Sequence, residues 1–89
     1  MRTTLNTMFR AKIKITLRKS ILDVQGKAVQ SALHKLGYAD VQSVRIGKYI
    51  ELELNDQDET TARKNTEDAC KKLLSNPVME DYSFELEKM

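Results

Sequence analysis

From Phe9 to Arg18 the apolar side chains fall on every second position, Phe9, Ala11, Ile13, Ile15 and Leu17, with Arg10, Lys12, Lys14, Thr16 and Arg18 between them. A period of two predicts a strand with one buried and one open face. After Ser20 the period lengthens. Val24, Ala28, Val29, Ala32, Leu33 and Leu36 share one helical stripe, Asp23 stands at the N-cap, and Gly37 occupies the C′ position where a left-handed residue closes many helices. Gly26, in the first turn, is the residue that weakens this helix. Two β-rich runs follow, Val41–Ile46 and Tyr49–Leu54, and the Gly47-Lys48 pair between them predicts a hairpin. In the second run Ile50, Leu52 and Leu54 point one way and Glu51 and Glu53 the other. Asn55-Asp56-Gln57-Asp58 reads as a turn and cap cluster. Beyond it Ala62, Ala69, Cys70, Leu73 and Leu74 lie on one helical face as far as Ser75. Asn76-Pro77 ends that helix, since the residue before proline is pushed out of the helical region. Tyr82, Phe84 and Leu86 then alternate with Ser83, Glu85 and Glu87 as a last strand.

The order β-α-β-β-α-β predicts an α+β domain of two layers, a ferredoxin-like βαββαβ fold in which an antiparallel four-stranded sheet carries two helices on one face. That topology has strand order 4-1-3-2, which sets the first strand between the third and the fourth. The open faces agree with it. The first strand offers Arg10, Lys12, Lys14 and Arg18, the third Glu51 and Glu53, and the fourth Asp81, Glu85 and Glu87. A basic strand between two acidic ones makes opposite charges cross-strand neighbours.

Charge along the chain sharpens this point. The net charge is +2, yet residues 1–20 hold six Lys/Arg and no acid, whereas residues 21–89 hold nine Lys/Arg and thirteen acids. Such an imbalance can mark a nucleic-acid arm, but the predicted sheet neutralises the basic segment internally. With 89 residues, 40% hydrophobic and 31% charged, the chain fits one globular domain. Residues 1–7 read as a flexible N-terminal extension and residues 8–89 as the domain. A domain of this size buries only about 60 to 65% of its unfolded surface, which favours association with a partner or a second copy. The longest apolar run is two residues, so no membrane span is predicted.

Catalytic chemistry is hard to assemble from these residues. Gly26, Gly37 and Gly47 are scattered, so no phosphate-cradling glycine loop can be written. The single histidine, His34, projects away from the apolar stripe of its helix, and the single cysteine, Cys70, lies on an apolar face where a thiol acts as a small hydrophobe. Together they are too few soft ligands for a closed zinc site. Glu51/Glu53 and Glu85/Glu87 face basic neighbours, which opposes the raised pKa of a general acid. Phe9, Tyr82 and Phe84 are in core register and leave no aromatic platform for RNA bases. What remains is Arg45-Ile46-Gly47-Lys48-Tyr49, a basic turn, and Arg45, Gly47, Lys48 and Tyr49 are the candidate residues for docking an acidic partner surface.

The stretches Leu22-Asp23-Val24-Gln25-Gly26-Lys27-Ala28-Val29-Gln30, Ala32-Leu33-His34, Leu36-Gly37-Tyr38, Val44 to Leu52, and Leu74-Ser75-Asn76-Pro77-Val78-Met79-Glu80-Asp81-Tyr82 resemble the PurS family. The resemblance implies a small, non-catalytic subunit of phosphoribosylformylglycinamidine synthase, the ATP- and glutamine-dependent ligase that converts formylglycinamide ribonucleotide to its amidine in purine biosynthesis. It implies a large synthetase partner (PurL) and a glutaminase partner (PurQ), between which the subunit forms a bridge and aids ammonia transfer. It also implies self-association as a homodimer or tetramer, a cytoplasmic location, no nucleic acid and no membrane. No cofactor is expected on this subunit, ATP and Mg being used by the synthetase. The family pattern commonly has a Pro-Gly-like turn where this chain has Ser20-Ile21. Topology alone admits a different reading, a ferredoxin-like regulatory or RNA-binding module.

Overall fold

Ala11 and Ile13 are fully buried, and Phe9 and Ile15 nearly so, which places the first strand at the centre of the protein. The computed structural model describes residues 7–56 and 58–89. Its elements are β1 (Thr7–Leu17), α1 (Val24–Lys35), β2 (Gly47–Asp56), α2 (Glu59–Ala69) and β3 (Glu80–Lys88). The expected extension over residues 1–7 lies outside the described residues except for Thr7, which opens β1.

The strands form one antiparallel sheet in the order β2-β1-β3. These are the expected first, third and fourth strands in their expected neighbourhood. Ile13 sits between Ile50 and Phe84, and Ala11 between Leu52 and Leu86, so one face of the sheet is apolar along its length. On the other face Arg10 lies between Glu53 and Glu87, and Lys12 between Glu51 and Glu85. Arg10 reaches Glu53 at 3.4 Å and Glu87 at 3.3 Å, Lys12 reaches Glu87 at 3.2 Å, and Arg18 reaches Asp81 at 3.5 Å. Hydrogen bonds donated to Glu53 and Glu87, helped by the charges of nearby carboxylates, hold Arg10 and Lys12 above their ordinary pKa values. Of the basic segment, Arg10, Lys12 and Arg18 are thus matched within the sheet.

α2 closes the apolar face. Asp58 caps it, accepting from Thr61 N at 2.7 Å, and these bonds lower the carboxyl's pKa. Ala62, Thr66 and Cys70, four residues apart, are fully buried against the sheet. Thr66 tolerates this because its hydroxyl donates to Ala62 O at 2.8 Å. Over Cys70–Leu74 the helix widens into a π turn, with Ser75 N bonding to Cys70 O at 3.0 Å. The wider turn brings Leu74 against the core and carries Leu73, which the sequence placed on the same face, out to 81% exposure.

Two expectations are corrected. The sheet has three strands among the described residues, not four, and only α2 packs on it. The run Val41–Ile46, read as a strand, contains no strand or bridge and lies alongside α1 instead. Side chains of the helix take up its backbone groups: Gln30 Nε2 donates to Gln42 O at 2.9 Å, His34 Nε2 lies 2.8 Å from Val41 O, and Ile46 N donates to Asp23 Oδ2 at 2.7 Å. Gly47 and Lys48 accordingly begin β2 and form no hairpin. Gly26, the weak point of the helix by propensity, is its buried residue, since a Cβ there would come 2.2 Å from Val44 O. Gly37 follows the helix with φ +103°, in the left-handed region.

Together α1 and residues 41–46 make an arm beyond the end of the sheet. The molecule measures 62 × 27 × 14 Å with a radius of gyration of 17.8 Å. A compact chain of this length would have a radius of about 12 Å. The apolar stripe expected to face the sheet is open: Val24 is 69% and Leu36 73% exposed, and Ala28, Val29 and Ala32 are exposed as well.

Candidate functional site

Among the described residues no group of three or more His, Cys, Asp or Glu is placed to hold a metal ion. Cys70 is buried, and burial together with the nearby Glu67 raises its pKa, opposite to what a nucleophilic thiol needs. His34 is exposed on α1 and occupied by Val41 O.

A groove between α2 and β3 holds the most perturbed group. Tyr82 Oη donates to Glu67 Oε2 at 2.9 Å, and Arg63 lies 5.7 Å from the Phe84 ring centre. Desolvation first, and then the bond to Glu67, push the Tyr82 phenol up to about 12. A phenol held in its protonated form serves packing rather than proton transfer at neutral pH. Because its folded value exceeds the ordinary 10.0, this phenol contributes stability that is complete below pH 10 and is lost as pH rises through about 12. In an ultraviolet titration of the three tyrosines the last ionisation is therefore expected near 12, and Tyr82→Phe should delete it. A Tyr82 phenol titrating near the ordinary 10.0 would show that the Tyr82–Glu67 contact does not hold in solution.

The features with exposed recognition potential are surfaces. The four residues of the predicted basic turn are spread apart by the structure. Arg45 lies in the arm, its guanidinium donating to Leu17 O. Gly47 presses on β1, where a Cβ would meet Ile15 O at 2.3 Å. Lys48 Nζ is 3.7 Å from Glu80, so it is not a free cation. Tyr49 points to the open sheet face and donates to Glu51 Oε2 at 2.9 Å. Arg45 is joined instead by Lys19 and Lys27 around a cleft where the loop after β1 meets the arm. Sequence reading missed these two lysines because they are 26 and 18 residues from Arg45 and meet it only through the fold of the arm. The apolar stripe of α1 was legible in the sequence, but its exposure was not.

At the N-terminus of α1 Asp23 ties the surfaces together. Its Oδ1 accepts from Gly26 N at 2.9 Å while its Oδ2 takes Ile46 N, and these bonds hold its pKa below the ordinary 3.8. One carboxylate therefore caps the helix and anchors the segment that runs back along it.

A family profile described as "PurS: Phosphoribosylformylglycinamidine (FGAM) synthase" matches residues 10–88. The PurS subunit of phosphoribosylformylglycinamidine synthase from Synechocystis sp. is 48% identical over 85 residues, covering 96% of this chain and 85% of that one. Its counterpart from Bacillus subtilis is 48% identical over 84 residues, covering 92% and 96%. Among solved structures, PurS from Methanocaldococcus jannaschii superposes with a TM-score of 0.81 at 36% identity, covering 91% of this chain and 98% of that one. A chain of the PurLQS structure from Thermotoga maritima gives a TM-score of 0.81 at 29% identity, covering 92% and 98%.

Proposed function

The chain belongs to the PurS family of phosphoribosylformylglycinamidine synthase subunits, and on that premise we propose that it is the non-catalytic member of this purine-biosynthetic ligase complex, joining the synthetase (PurL) and glutaminase (PurQ) chains. The observation that carries the reading is the match to a chain of the three-component PurLQS structure over 92% of this sequence. The chemistry of the chain is consistent with it: its thiol is buried, its one histidine is tied to a backbone carbonyl, Glu53 and Glu87 are matched by Arg10 and Lys12, and Asp23 and Asp58 are engaged as caps. ATP and Mg belong in this reading to the synthetase, and this subunit binds no cofactor of its own.

Ammonia released into water at neutral pH is mostly protonated and no longer nucleophilic, so a reaction that consumes it gains from a closed route between glutaminase and synthetase. A small domain bridging the two supplies surface for that route. The open stripe of α1 supports self-association as a homodimer or tetramer, since a second copy would cover apolar area that the chain's own sheet leaves exposed. Arg45 in the arm, with Gly47, Lys48 and Tyr49 at the start of β2, is proposed as part of the partner-facing surface. No helix among the described residues is long and apolar enough to cross a membrane, and a cytoplasmic site of action without nucleic acid fits the proposed complex.

Reconstitution with the two larger subunits tests the role. Glutamine-dependent synthesis is expected to require this chain, while synthesis from added ammonia by the synthetase persists without it. Full glutamine-dependent activity in its absence would remove the proposed function.

A further inference from the structure

Gly26 aside, the buried residues among those described all lie in β1 and along the helical run from Ala62 to Ser75. The arm, residues 23–46, therefore takes no part in the core, and a change in its angle to the sheet breaks no core packing. Within the arm the ties run from one end to the other. At the base Asp23 accepts from Gly26 N at 2.9 Å and from Ile46 N at 2.7 Å, and Gly26 presses on Val44 O. Further out Gln30 Nε2 donates to Gln42 O at 2.9 Å, and at the far end His34 Nε2 lies 2.8 Å from Val41 O. These bonds make α1 and its returning segment one body. Across the joint to the sheet the ties are few. The chain crosses twice, through residues 18–22 and at the Ile46–Gly47 bond. Among the described residues one side-chain hydrogen bond also crosses, from the Arg45 guanidinium to Leu17 O at the end of β1.

Space at the joint is open. A cleft of about 530 Å³ separates residues 19–22 from Ser43, Val44 and Arg45, and another of about 270 Å³ lies between the end of β1, Asp23 and Gln25 of the arm, and Lys48 and Glu80 of the sheet. The arm thus has room to turn. Gly47 marks where the sheet begins: a Cβ there would meet Ile15 O at 2.3 Å, so from this residue on the chain is pressed against β1. We infer that the arm swings as one rigid body about its two crossings and that Arg45 is the latch that fixes its angle to the sheet. Hinges of this kind place the change in φ and ψ on a few loop or element-terminal residues and move in about microseconds to milliseconds. The latch is exposed, so water replaces the bond when it opens and the fold is kept. The negative charge of Asp23 beside it favours return of the guanidinium to the joint. A molecule bound to arm and sheet at once shifts the population toward the angle that it fits. The device belongs to the chain alone, and its failure leaves the proposed role untouched.

The test measures residual dipolar couplings of the backbone amides of the full chain in a neutral aligning medium, with the arm and the three strands fitted separately. Arg45→Ala is expected to lower the alignment of the arm relative to the sheet, while the couplings within each body still fit the structure. Arg45→Lys, which keeps a donor and the charge, should restore much of the wild-type ratio. Lys27→Ala removes a cation of the arm that makes no bond across the joint and should leave the ratio unchanged. Sedimentation selects a concentration at which all the variants share one assembly, and amide exchange through α1 and at Ile46 reports whether the arm stays intact. An arm-to-sheet ratio in Arg45→Ala equal to that of the wild type overturns the proposal. So does an equal loss in Lys27→Ala, and so does a loss of exchange protection through α1, which would mean that the arm melts rather than swings.

Discussion

Ile13→Ala is expected to destabilise the fold by about 2 to 5 kcal/mol. Ile13 is fully buried at the centre of β1, flanked by Ile50 on one side and Phe84 on the other and covered by α2. Removing three carbons there leaves a cavity that two flanking strands and one helix can close only by moving together. A domain of this size has a total stability of about 5 to 15 kcal/mol, so the loss is a large part of the whole. At fixed protein concentration Tm should fall by about 10 to 30 °C, and Ile13→Val should cost only about 0.5 to 1.5 kcal/mol. A Tm drop of less than about 5 °C in the alanine variant would show that this position is not the keystone of the core.

Gly26→Ala should be destabilising by about 1 to 3 kcal/mol, the usual range for forced overpacking. Helix propensity alone predicts the opposite sign, because alanine is favoured over glycine in a helix by about 1 kcal/mol. The competing effect is steric. A Cβ at this position would lie 2.2 Å from Val44 O and 2.7 Å from Asp23 Oδ2, and the backbone oxygen cannot rotate away as a side chain would. Relief requires residues 41–46 to lift from α1. The Ile46 amide, which donates to Asp23 at 2.7 Å, should then lose hydrogen-exchange protection while amides of β1 keep theirs. A more stable variant with the Ile46 amide still protected would mean that the arm is not held as described.

The legible parts of the chain share one property: the pattern within each segment settles their structure. Alternation in β1 named the core residues Phe9, Ala11, Ile13 and Ile15, and the sign of the outward charges placed the Glu51/Glu53 and Glu85/Glu87 strands on either side of it. Asp23 and Gly37 marked the ends of α1, and Asn76-Pro77 the end of the helical run that begins with α2. Thr66 is not legible as a core residue, because a buried threonine satisfied by its own helix carries no apolar signal. The apolar spacing places Leu73 in the core, because a π turn shifts the face by a residue and leaves no mark in that spacing.

Of the candidate site, the sequence identified Arg45 as part of a basic surface but grouped it with Lys48, which pairs with Glu80. The grouping followed chain proximity, while the cleft depends on how the arm folds back. The same reasoning explains the missing strand. Val41–Ile46 has the composition of a strand, and an extended segment needs partners for its backbone. Whether a strand or a helix side chain provides them is set by what lies next to it in space, here Gln30, His34 and Asp23.

By itself, then, the sequence determined the central strand, its neighbours, the charge ladder on the open face and the caps of the helices, all of which follow from periodicity and local hydrogen bonding. Only the tertiary structure decided where α1 goes. An amphipathic stripe states that a face should be covered and says nothing of which surface covers it, the chain's own sheet or another molecule. In this protein α1 extends past the sheet with Val24 and Leu36 open to solvent, held in place by the backbone contact at Gly26 and the two bonds of Asp23.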